Sequence, residues 1–161
     1  MEKMYRQGGV GALLDVYEQA ISDFKKVIED IPDAILTNII DQETTDENCK
    51  SIQAILSHVI SSGYSYVIYI HNLKGHEMQR PDKAFHLSIK DYLEDLNKLI
   101  VYTENVFNEI EDAELEQFDQ SKKIITSWEQ LYDIEQLMEH AIVHILRHQR
   151  QIEKFKRNLL P

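Results

Sequence analysis

The chain has 161 residues, 43% of them hydrophobic and 28% charged, which suits one domain spanning residues 1–161 with a sizeable core. A formal net charge of -11 excludes the function classes that track phosphate, because nucleic acid and anionic membrane surfaces are met by net positive charge. No nucleic-acid and no membrane partner is therefore expected.

Glycines at 8, 9 and 11 precede Leu13, Leu14, Tyr17, Ala20, Ile21, Phe24, Val27, Ile28 and Ile31, an i, i+3, i+4 stripe that stops at Pro32. This predicts the first helix. The opening MEKMYRQGGVG holds no apolar signal core, so a cytoplasmic location is expected. Cys49 is the one cysteine and cannot form an internal disulfide; beside Lys50 in a polar loop, it is read as a bystander. From Ser51 the segment SIQAILSHVISSGYSYVIYI runs to Ile70 without one Asp, Glu, Lys or Arg. Its serines and glutamine make it too polar for lipid, so it predicts a helix buried inside a bundle, with any leftover face covered by a second subunit in a homodimer.

A third helix is predicted from about Ser88, where Ile89, Tyr92, Leu93, Leu96, Leu99, Ile100, Val106, Phe107 and Ile110 keep helical spacing. Residues 112–126 lack a sustained period and read as a long loop, with a short extended piece at 123–126. Ser127 followed by Gln130 fits a capping box and predicts the start of the last helix there, running to about Asn158. Its trailing cations, Arg147, Arg150, Lys154, Lys156 and Arg157, complement the negative end of a helix. Four helices without convincing strand alternation predict an all-α, up-down four-helix bundle.

The last helix carries His140, His144 and His148 at four-residue spacing. Residues four apart share a helix face, so neighbouring imidazoles can reach one metal ion. Measured against the stripe of Leu131, Ile134, Leu137, Met138, Ala141, Ile145, Ile152 and Phe155, His148 lies roughly 30° from the centre, His144 roughly 70° and His140 roughly 110°. His144 and His148 are thus the pair expected to look inward, and His140 borders the site or faces solvent. His58 is the other histidine inside an apolar helical segment. It falls off the stripe of its own helix, on a row with Ser62 and Ser65, a placement that allows a polar cavity without forcing one. His71, His76 and His86, at or beyond the helix end, read as ordinary hydrogen-bonded residues. Ile145 stands where a zinc-protease helix motif needs glutamate, and no Glu precedes these histidines by three residues as a di-iron bundle requires.

Two segments, SIQAILSH at 51–58 and HILRHQRQI at 144–152, resemble the DinB/YfiT-like family of four-helix bundles. The first resembles the family's serine cap followed by a ligand histidine, the second its HxxxHRGQI ending. The resemblance covers nearly the whole chain and implies a metal triad of His58, His144 and His148, with Gln151 matching the family glutamine. Gln149 and Arg150 depart from the usual Arg-Gly, which leaves the implied ligands intact and removes the family arginine from its place.

Three imidazoles leave coordination positions open, as catalytic rather than structural zinc-type sites do. Zinc is the favoured ion, and nickel, iron or manganese would also be accepted. The resemblance implies a small-molecule substrate and two chemistries, transfer of a low-molecular-weight thiol to an electrophile and metal-assisted hydrolysis, of which thiol transfer is preferred. Ser62, Ser65, Tyr66 and Gln151 are the expected cavity neighbours. A non-enzymatic stress or interaction module, with the metal stapling two helices, is the reading from another class.

Overall fold

Four helices dominate the computed structural model, which describes residues 4–159: α1, Gly8–Ile28; α2, Ile52–Leu73; α3, Ile89–Phe107; and α4, Ile134–Leu159. The all-α four-helix bundle expected from periodicity is what forms. Each start has an identifiable cause. Ser51 accepts the Ala54 N–H at 3.0 Å to begin α2, and Ser88 accepts the Asp91 N–H to begin α3. α1 begins within the glycines rather than after them, because its exposed amides are capped from a distance: Asp112 Oδ1 accepts the Val10 N–H at 2.8 Å. Gly8, at φ 77, could not carry a side chain there, since a Cβ would lie 2.2 Å from that same carboxylate.

α4 starts later than expected. Ser127 to Gln130 form the turn of a small hairpin joining β1, Ile124–Ile125, to β2, Leu131–Tyr132, with Glu129 in the left-handed region at φ 63. The working capping box lies six residues on, where Asp133 accepts the Gln136 N–H at 2.8 Å and Gln136 accepts the Asp133 N–H at 3.1 Å. An aspartate is at least as good a cap as a serine, and only this position leaves room for the hairpin. The short extended piece expected at 123–126 is β1.

Helix directions depart from simple alternation. Contacts between α2 and α3 advance together along both helices, from Ser57 with Tyr92 (2.7 Å) to His71 with Tyr102 (3.0 Å), and continue just past their carboxyl ends with His76 against Glu109 (3.0 Å). These two helices are therefore parallel. By contrast α2 pairs with α4 in reverse, His58 meeting His144 and Tyr66 meeting His140, and α1 pairs with α3 in reverse, Lys25 meeting Asn97 and Arg6 meeting Glu104. The order is up, down, down, up, and the connection at residues 74–88 must cross the length of the bundle.

That crossover explains the missing charges of α2. It lies over the helix, with Arg80 donating to Ser65 Oγ at 3.2 Å and Gln53 donating to the His86 carbonyl at 2.9 Å. No residue from Ser51 to His71 is exposed. The chain by itself covers most of this helix and leaves the row of His58, Ser62 and Ser65 half-buried. Tyr17, Phe24, Leu56, Tyr92, Leu96, Leu137 and Ile152 form the shared core of all four helices, and each large apolar side chain buried there contributes roughly 1.5–3 kcal/mol. None of the helices is long and apolar enough to cross a membrane among the described residues.

Candidate metal centre

The antiparallel pairing of α2 with α4 brings three imidazoles together. One ring nitrogen each from His58, His144 and His148 lies within 4.8 Å of the others, and His58 Nε2 is 3.0 Å from His144 Nε2. His144 and His148 stand one turn apart on α4, as their spacing requires, with ring centres 4.5 Å apart. His58 reaches them from the off-stripe row of α2. Its inward position follows from the burial of that whole helix, since a row that would face solvent on a two-faced helix here faces α4 and the crossover.

All three rings are held neutral. Burial, reinforced by the neighbouring imidazoles, pushes His58 down to about 4 and His144 to about 3, and burial lowers His148 as well. Neutral imidazole is the form that ligates a metal. Gln151 Oε1 sits 3.0 Å from His148 Nδ1 and accepts a hydrogen bond from its N–H, which leaves Nε2 as the nitrogen with a free lone pair. Ser62 Oγ lies 3.4 Å from His58 Nδ1 and plays the weaker counterpart. On donor type, protonation state and spacing, the trio fits a divalent ion.

His140 does not join it. It stacks on Trp128 with ring centres 5.3 Å apart and an interplanar angle of 24°, and it lines the open cleft beside the trio. That cleft measures about 820 Å³. His58 is the member of the trio that lines it, together with Ser62, Ser65 and Tyr66, three of the four neighbours expected from sequence; the fourth, Gln151, is not in the cleft wall but against His148. The remaining wall comes from places where sequence reasoning found no site: Gln79 and Arg80 on the crossover, Ser127 and Trp128 on the hairpin, and Tyr69 and Asn72 at the end of α2. Trp128, the one tryptophan of the chain, reaches the cleft because it lies in the hairpin turn and not in a helix start.

Cys49 is buried, its thiol donating to Asp46 Oδ2 at 3.4 Å, and burial raises its pKa. A thiol so placed is a poor nucleophile, in keeping with the reading as a bystander. Gln149, where the family motif has arginine, instead binds Glu153 at 3.1 Å on the flank of α4. The cleft's cation is Arg80.

The sequence model of the DinB family matches residues 4–159. No curated protein matches the chain.

Proposed function

The chain belongs to the DinB family, and we propose that it is a divalent-metal-dependent enzyme that transfers a low-molecular-weight thiol to a small electrophile. His58, His144 and His148 would hold the ion, zinc being the one best matched to three nitrogen donors. When bound, the ion supplies Lewis acidity, lowering the pKa of what it binds. Arg80 offers the cleft a fixed positive charge for an anionic group of the thiol or its acceptor. Tyr66, Tyr69 and Trp128 give an aromatic wall that excludes water from an apolar portion. His140, kept neutral by burial, is the base in the cleft able to take a proton.

The observation that carries this reading is the cleft itself. An ion that merely stapled α2 to α4 would need no cleft of about 820 Å³ beside it. Hydrolysis is the alternative chemistry. Metal hydrolases commonly place a carboxylate where it can activate water, and the residues lining this cleft include neither Asp nor Glu, which favours thiol transfer.

The test is a zinc-loaded preparation offered small thiols with a chromogenic electrophile and, separately, ester and amide substrates, with His148→Ala as control. Thiol consumption lost in the variant supports the proposal. Turnover of esters or amides without thiol consumption would replace it with hydrolysis, and inactivity in every arm would favour the staple.

A further inference from the structure

A second group of metal-ligating side chains gathers at the far end of α2. One ring nitrogen each from His71 and His76 and a carboxylate oxygen of Glu109 lie within 4.8 Å of one another. His76 Nε2 is 3.0 Å from Glu109 Oε2, and the rings of His71 and His76 are 4.0 Å apart centre to centre. The backbone has been shaped to produce this. α2 ends at Leu73, and Gly75, at φ 87 with its N–H on the Asn72 carbonyl at 3.1 Å, turns the chain so that His76 returns against His71.

We propose that His71, His76 and Glu109 form a second divalent-metal site, for a borderline transition ion of the zinc class, separate from the three-histidine cluster. Thirteen residues of helix part His71 from His58, a distance of about 20 Å. Two imidazoles with one carboxylate suit such an ion, whereas calcium and magnesium prefer oxygen donors alone. Tyr102 Oη, 3.0 Å from His71 Nδ1, fixes that ring and leaves Nε2 as its ligating nitrogen. Glu109 supplies the one carboxylate oxygen of the group.

Helix direction adds to this. Because α2 and α3 are parallel, their carboxyl ends lie side by side here, and both present the negative end of the helix dipole to a bound cation. The opposing charge is Lys74, whose ammonium is engaged by Glu114 at 2.5 Å. A hydrogen bond alone accounts for His76 against Glu109; it does not account for the approach of His71. Bound there, an ion ties the end of α2, the start of the crossover and the end of α3 together, and so anchors the segment that carries Gln79 and Arg80 to the cleft.

The test is a zinc titration of the full chain against a chromophoric chelator, with histidine ring nitrogens followed by NMR. Wild type should bind two equivalents, and His76→Ala with Glu109→Gln should lose one while keeping the other. In His148→Ala, the His71 and His76 ring nitrogens should still shift on adding zinc. Wild type binding one equivalent while His148→Ala still binds one would support this site and sink the three-histidine one. The proposal is overturned if the His76→Ala, Glu109→Gln variant binds as wild type does, or if the His71 and His76 signals do not move with zinc.

Discussion

At the level of single residues, the metal-binding reading depends on three imidazoles that stay neutral. Their folded pKa values lie below the ordinary 6.5, at about 4 for His58 and about 3 for His144. As pH falls, the unfolded chain takes up protons before the folded one does, so the metal-free protein should be most stable above about 6.5 and lose stability toward pH 4.5. Thermal melts of chelator-treated protein across that window check this, and His144→Ala should flatten the slope. Ligand variants rank the site's members: His144→Ala and His148→Ala should each abolish tight zinc binding at the three-histidine cluster, one equivalent of the two, while His140→Ala, stacked on Trp128 outside the trio, should change it little. Gln151→Leu keeps the ligands but frees the His148 tautomer, and should weaken zinc binding by about 10–100-fold in a chelator competition.

The elements were legible in the sequence wherever the signal was local. Ser51 and Ser88 cap the helices they precede, and the stripes of α1 and α3 sit in the core. What sequence could not supply came from distant partners. The start of α1 depends on Asp112, a hundred residues away, and the parallel course of α3 depends on a crossover that has no periodicity to read. Similarly, the wheel turns His144 and His148 toward the bundle because α4 is strongly two-faced, and His148 is buried there, but it could only permit His58, whose helix has no charged face to mark its outside. Two capping boxes six residues apart compete for the start of α4, and the later one, at Asp133, begins it. Exchanging the side chains tells them apart: Asp133→Ala should cost about 1 kcal/mol, since Oδ1 accepts the Gln136 N–H. Ser127→Ala should be nearly neutral, its N–H, which it retains, being what binds Tyr69. Urea denaturation with an unchanged m-value is the measurement.

For the whole molecule, the charge-free α2 carries the largest consequence, because a single chain already covers most of it. A homodimer remains our proposal, but its seam need not include that helix: hydrogen exchange across residues 52–71 should be the same at protein concentrations above and below dissociation, as judged by sedimentation velocity. The cover is the crossover, and its length is a physical requirement. From the end of α2 to the start of α3 the chain must travel about 30 Å, the length of the helices it runs beside, and residues 74–88 reach about 50 Å when extended. Deleting residues 76–85 cuts that reach to about 20 Å, so α3 could no longer lie parallel to α2, and cooperative unfolding should be lost. Replacing the same residues with a Gly-Ser linker of equal length restores the span but not Arg80 or Gln79. That variant should fold, with a lower melting temperature, and bind zinc at the three histidines, yet lose the wall of the cleft and with it any substrate turnover. If the deletion instead folds as tightly as wild type, the parallel arrangement of α2 and α3 is wrong.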